Sequence, residues 1–274
     1  MNAFDNRPIA IFDSGLGGLS VLACALELLP DERFVYLADL ANAPYGERPI
    51  EEIQALVADD INLLLAHDVK AVVVACNTAT AASVAHLREL HPELPIIGME
   101  PAAKVAAEHC GGKCAVLATP ATLSLGMFKK LREQLRDQIQ IVAVPCPGLS
   151  NMIDHDASPE ELRDYLYELI DPEDSTFTSL VLGCTHYVLI SKLVQSFYPN
   201  HSIISGNEGA VRHLANILQE RKICAQQHLA PEGGNRVQYL CTTADPAILD
   251  KMDKVTGFAK QNQVWINAFM PQNK

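Results

Sequence analysis

Two cysteines in this chain stand where thiol chemistry is favoured. Cys76 closes the apolar run Val72-Val73-Val74-Ala75 and precedes Asn77 and Thr78; Cys184 closes Ser179-Leu180-Val181-Leu182-Gly183 and precedes Thr185 and His186. A thiol inside a strand is a dry packing residue. One at a strand's C-terminal end, where a helix begins, sits in a field that favours thiolate. A single such cysteine is compatible with a buried thiol beside a helix cap. Two of them, 108 residues apart (184 less 76) and each followed by hydrogen-bonding side chains, read as a matched pair. Opposed thiols suit inversion of a carbon acid: one thiolate removes a proton from one face, and the other thiol returns a proton to the opposite face. A free cysteine has a pKa of about 8.5, so modest lowering by a helix N-terminus is expected to bring the base within reach of neutrality. Charge building on an adjacent carboxylate then needs donors, and backbone N–H groups, Asn77, Thr78 and Thr185 are of the right kind.

Such a pair must be carried by elements that end at a common place. The first unit, RPIAIFDSGLGGLSVLACALELLP, reads as a strand over 8–12 and a turn with Gly15, Gly17 and Gly18. A helix then runs to Pro30, with Asp13 and Ser14 expected as its N-cap residues. A strand over 33–38, a loop through Gly46, a helix over 50–67, a strand over 70–75, a helix ending before Pro92 and a short strand over 96–98 complete a first series. A second series restarts after residue 99. It has strands at 113–118, 139–144 and 179–182, with helices from about Leu123 and over 159–169. Alternation at this spacing predicts α/β architecture: two similar domains, each a mainly parallel sheet flanked by helices, residues 1–98 plus 208–274 forming one and 99–207 the other. Ligands of open α/β sheets bind beyond the C-terminal strand ends. Both thiols are therefore expected in the cleft between the domains.

Composition narrows the partners. The net charge of −12 opposes long-range attraction of nucleic acid, though a helix terminus still accommodates a small anionic substrate. The N-terminal residues lack the basic start and apolar stretch of a signal peptide, and no apolar run reaches 18 residues; a cytoplasmic, non-membrane protein is expected. Eight dispersed cysteines are expected to be reduced thiols.

Other chemistries fit less well. Gly15-Leu16-Gly17-Gly18 has Ser20 where a dinucleotide fingerprint has its third glycine, with Asp39 as the nearest acidic candidate for a ribose, and no P-loop is present. Cys110-Gly-Gly-Lys-Cys114 lacks a second ligand pair for zinc, and Cys184 with His186 lacks two further ligands. There is no G-x-S-x-G, and a cysteine hydrolase needs one nucleophile where this chain has two.

The stretches "FDSGLGGLSV" (12–21), "APYGERP" (43–49), "ACNTAT" (75–80), "GCTHY" (183–187) and "LCTTADP" (240–246) resemble, in order, the motifs of the glutamate racemase family. That family lies within the cofactor-independent aspartate/glutamate racemase superfamily. The resemblance covers almost the whole chain. It implies interconversion of L- and D-glutamate without cofactor or metal, supplying D-glutamate for bacterial peptidoglycan; racemisation of aspartate or another amino acid is the alternative within the superfamily. It implies that Cys76 acts on the D-isomer and Cys184 on the L-isomer, with Asp13 and His186 each assisting a thiol. Asp13, Ser14, Tyr45, Gly46, Asn77, Thr78, Thr185 and His186 match substrate-contacting positions, and Thr122, with Thr119, matches a threonine-containing turn near the substrate. Homodimers are common in the family. The chain departs from the pattern in three places. Val188 replaces the usual proline, Leu40 replaces a small polar residue, and Asp154 stands for the glutamate that supports the active-site histidine. Rival readings are a non-catalytic amino-acid-binding protein and a single-thiol decarboxylase relative, which would need only one of the two cysteines.

Overall fold

The computed structural model describes residues 4–226, 236–244 and 246, and the backbone of 266–268. The first domain begins with β1 (Ile9–Asp13), α1 (Leu19–Leu28), β2 (Phe34–Ala38), a 3₁₀ turn at Tyr45–Glu47 and α2 (Ile50–Leu65). It continues through β3 (Ala71–Val74), α3 (Asn77–Leu90) and β4 (Ile96–Gly98). The second domain holds α4 (Ala103–His109), β5 (Lys113–Ala118), α5 (Pro120–Ser124), α6 (Gly126–Leu135), β6 (Gln140–Pro145) and α7 (Leu149–Asp154). It ends with α8 (Pro159–Leu169), β7 (Ser179–Leu182), α9 (Thr185–Leu189), α10 (Ser191–Phe197) and β8 (Ser202–Ser205). The chain then returns to the first sheet through α11 (Asn207–Arg221), β9 (Val237–Cys241) and β10 (Ile266–Ala268).

Every strand pair is parallel. The first sheet has the order β10-β9-β2-β1-β3-β4 and the second β6-β5-β7-β8. Without β9 and β10, both follow one plan: second strand, first, third, fourth. By this correspondence β3 and β7 are equivalent strands, and each delivers a cysteine. Each sheet also reverses its winding beside its first strand, so the ends of β1 and β3, and of β5 and β7, form the crevice of a topological switch point.

Buried strands covered on both faces should be apolar throughout, and β1, β2 and β3 are buried at every position. Alternate β1 residues serve opposite faces. Ile9 and Ile11 pack with α1 and α11, whereas Ala10 and Phe12 pack with α2 and α3. The second sheet is likewise sandwiched, with α4 and α6 on one face and α7–α10 on the other. Local signals explain several boundaries. Pro159 occupies the first turn of α8, and Ser158 with Glu161 forms a reciprocal capping box. The single helix expected from Leu123 is instead two, α5 starting at Pro120 with Thr119 as its cap, and a break at Leu125. The expected caps of α1 are also different. Gly18 is its N-cap, without a side-chain bond; Asp13 instead accepts from Thr185 of the second domain, and Ser14 donates to Cys76.

The chain crosses between domains after β4 and again after β8. These crossings touch: a side-chain carbon at Gly206 would lie 3.2 Å from the Glu100 carbonyl oxygen.

Lys70, completely buried, ties the far edge of the first domain. Its ammonium lies 2.6 Å from the Glu32 carboxylate and donates to the carbonyls of Asp5 (2.6 Å) and Ile223 (2.8 Å), so all three hydrogens are used. Lys70→Met would leave the Glu32 carboxylate buried without its counter-charge. The expected cost is about 3–5 kcal/mol in urea unfolding, and a loss below about 1 kcal/mol would show that the pair adds little.

Candidate active site

Cys76 is the N-cap of α3, and its Sγ accepts from the Ala79 N–H (3.4 Å) and the Ser14 hydroxyl (3.3 Å). Cys184 is the N-cap of α9, with its Sγ 4.0 Å from His186 Nδ1. Both thiols are buried, 6% and 8% exposed, and they are close enough for Cys184 to raise the Cys76 pKa. The expectation of a lowered Cys76 pKa is reversed. Burial and then the nearby Asp13 charge push it up to about 12, outweighing the Ser14 and Ala79 hydrogen bonds. The helix terminus does aim at the sulfur, but the absence of water costs the thiolate more than one N–H returns.

The glycine turn explains how the two walls come so close. A side-chain carbon at Gly17 would sit 2.5 Å from both the His186 nitrogen and Thr185 Oγ1, and one at Gly15 would sit 2.9 Å from the His186 ring. These glycines admit the start of α9 against the first domain. The Thr185 hydroxyl donates across this seam to Asp13 Oδ2 (3.0 Å), and Gly15 N–H donates to Asp13 Oδ1 (2.9 Å). Asp13 is fully buried; burial raises its pKa, against the lowering effects of His186 and of these donors. Ser14, rather than Asp13, hydrogen-bonds the Cys76 sulfur.

Behind Cys184, His186 Nε2 lies 3.1 Å from Asp154 Oδ2 at an ion-pair distance, out of line for an aligned hydrogen bond. Burial works against protonation of the imidazole, but Asp154 and Cys184 prevail and hold its pKa well above the ordinary value. The shorter acid at 154 therefore reaches the ring. Val188 continues α9 and packs on the second domain's core, and Leu40 packs on the first domain's.

A second polar seam joins the domains. Thr78 Oγ1 meets the hydroxyls of Thr119 (3.0 Å) and Thr122 (3.1 Å), which are 2.9 Å from each other, so three buried hydroxyls close a ring across the boundary. Gly46 seats beside it, where a side-chain carbon would come within 2.9 Å of Thr119 Cγ2. Asn77 Nδ2 donates to the Met99 carbonyl (3.2 Å) at the start of the crossing segment. The Tyr45 side chain packs in the first domain's core with its hydroxyl on Asp39 and near Asp60, and the turn at 45–46 faces the seam. Asp60 and the buried Tyr36, whose hydroxyl holds the Gly15 carbonyl at 2.8 Å, escaped the reading of the sequence. Asp60 had a signal, an acid in register with Ile53, Val57, Ile61 and Leu64 on the apolar face of α2.

Among the described residues no group of three or more His, Cys, Asp and Glu side chains is arranged to hold a metal ion, and no helix is long and apolar enough to cross a membrane.

A buried pair of thiols at equivalent strand ends of two like sheets is an arrangement suited to proton transfer at opposite faces of a carbon acid, the chemistry of an amino-acid racemase. The description of the Asp/Glu/Hydantoin racemase family matches residues 20–214, and the chain belongs to that family. It is 42% identical over 222 residues to the glutamate racemase of Clostridium perfringens, covering 80% of this chain and 85% of the relative. Its fold matches glutamate racemase RacE1 of Bacillus anthracis, with a TM-score of 0.82 and 29% identity over 98% of each chain. The glutamate racemase of Francisella tularensis, solved with D-glutamate, gives a TM-score of 0.83 with 25% identity over 98% of each chain.

Gly17→Ala places a methyl group where the α9 backbone now lies. The variant is expected to part the seam, seen as faster alkylation of Cys184 by iodoacetamide in the folded protein. Unchanged protection in mass-spectrometric labelling would show that the seam yields without opening.

Proposed function

We propose that this chain is a glutamate racemase that interconverts L- and D-glutamate with Cys76 and Cys184 as opposed acid and base. The observation that carries the reading is the placement of two buried thiols at equivalent strand ends, one bonded to Ser14 and the other beside His186, on either side of the seam closed by Thr185 and Asp13. The cleft lies between residues 1–98 with 208–274 and residues 99–207. The names of the similar proteins supply the substrate, and D-glutamate as a product supports a role in peptidoglycan synthesis.

In one direction the Cys76 thiolate takes the Cα proton: the C–H bond breaks, an S–H bond forms, and the electron pair delocalises into the substrate carboxylate. The Cys184 thiol then gives its proton to the opposite face of Cα. The reverse direction exchanges the roles. Burial and the Asp13 charge favour the protonated form of Cys76, and a substrate ammonium nearby would offset the charge of its thiolate. On the other wall, His186, kept cationic by Asp154, steadies negative charge on Cys184. Hydroxyls of Ser14, Thr78, Thr122 and Thr185 and the turn at Tyr45–Gly46 are the groups available to the substrate carboxylates. Because Thr78 bonds Thr119 and Thr122, and Thr185 bonds Asp13, across the seam, entry of substrate requires the two domains to part.

Cys76→Ser and Cys184→Ser are each expected to lower racemisation of glutamate by about 10²–10⁴-fold, measured with both enantiomers and beside both aspartate enantiomers. In deuterated water, product should acquire solvent deuterium at Cα before the substrate pool does. Equal early labelling of both pools would sink the two-base reading, and ligand binding without racemisation would favour a binding protein.

A further inference from the structure

The buried polar cluster behind the Tyr45–Gly46 turn holds one more ionisable group than charge alone explains. Asp39, fully buried, receives the Asn42 amide (3.0 Å) and the Thr242 hydroxyl (2.7 Å) on Oδ1 and the Tyr45 hydroxyl (2.5 Å) on Oδ2. Asp60, 6% exposed on α2, lies 3.2 Å from the same Tyr45 hydroxyl, so the two carboxyls face one phenol. Tyr45 has a single hydroxyl hydrogen, and its shorter contact is with Asp39. The Asp60 contact is satisfied only if Asp60 brings a hydrogen of its own. Tyr45 cannot supply a second one, and burial followed by the two carboxyl charges keeps its phenol protonated, far above the ordinary value. No residue with a positive charge is among those named in the cluster. Two carboxyls facing one hydroxyl inside a protein core cannot both ionise cheaply, and a retained proton is the usual settlement.

We propose that Asp60 is a positioning residue of the active site, a neutral carboxylic acid whose proton completes the Asp39–Tyr45–Asp60 cluster and so fixes the turn that seats Gly46 against Thr119. The link is continuous. The cluster grips the Tyr45 ring, the ring packs in the core beside Phe12 (centroids 6.4 Å apart), and the next residue touches the hydroxyl ring shared by Thr78, Thr119 and Thr122. Phe12 adjoins Asp13, so one anchored turn bears on both seams. Burial, and then the Asp39 charge, push the Asp60 pKa up to about 8, with Asp59 on the same helix adding to the rise and Tyr45 opposing it; Cys76 is the other titratable group facing Tyr45. Ionisation of Asp60 at alkaline pH therefore places two adjacent charges behind the turn.

The inference rests on the racemase reading for its active site, and the test separates the two. Wild type, Asp60→Asn and Asp60→Leu are compared for glutamate racemisation and for unfolding free energy across pH. Asn carries N–H hydrogens at every pH, so Asp60→Asn should keep KM within about threefold at neutral pH. Asp60→Leu should raise KM about tenfold with a smaller change in kcat. Wild-type KM should climb above about pH 8, and the Asp60→Asn profile should lack that climb.

The stability arm has a definite sign. A carboxyl raised from an unfolded value of about 3.9 binds its proton in the folded state and not in the unfolded state between the two pKa values. Wild-type stability should therefore fall as pH rises from about 4 to about 8, and Asp60→Asn should flatten that slope. A merely structural side chain would alter stability in both variants without moving the pH dependence of KM. The proposal is overturned if Asp60→Asn is impaired as deeply as Asp60→Leu, or if its KM profile and stability slope match wild type. Should wild type fail to racemise glutamate, the functional reading fails, and the stability slopes still decide whether Asp60 holds the proton.

Discussion

Everything at the site depends on how closely two buried protein walls approach. Gly15 and Gly17 leave room for the first turn of α9, and the Thr185–Asp13 hydrogen bond latches the contact. Without that approach the thiols would face bulk water from separate domains and behave as ordinary cysteines. With it, each sulfur meets polar partners chosen by the fold: Ser14 and Ala79 N–H for one, His186 for the other.

The same burial sets the electrostatic problem. Desolvation lifts the pKa of Cys76 and of Asp13 and opposes protonation of His186, yet His186 ends well above its ordinary value because Asp154 and Cys184 outweigh the penalty. The two walls are therefore unlike. The first domain offers neutral hydroxyl and amide donors to its thiol, and the second offers a buried cation. A pair of equivalent strand ends has been furnished differently, as expected of a site that must handle two faces of a chiral carbon.

Much of this was legible in the chain because parallel strands buried on both faces must be apolar, and their ends must turn. The Val72–Ala75 and Leu180–Gly183 runs marked β3 and β7, and the cysteines after them marked the helix starts. Periodicity could not reveal which polar side chains face inward for function and which for packing. The resemblance places Tyr45 at a substrate-contacting position; its ring is core, and its backbone turn is the part that meets the seam. Asp13 and Ser14 had the chemistry of helix caps, and tertiary contacts claimed them instead. The elements after residue 200 escaped notice for another reason. The strand β8 is short and partly exposed, and β9 joins the first sheet after a long excursion that no local pattern announces.

The two crossings between domains, held side by side at Gly206 and Glu100, give the molecule a mechanical character. A lobe suspended from a pair of adjacent tethers swings about one axis and resists sliding or twisting about others. The neighbours of both thiols reach that pivot, Asn77 through its hydrogen bond to the Met99 carbonyl and Gly183 through its close approach to Pro101, so flexing at the tethers is felt one residue from each sulfur.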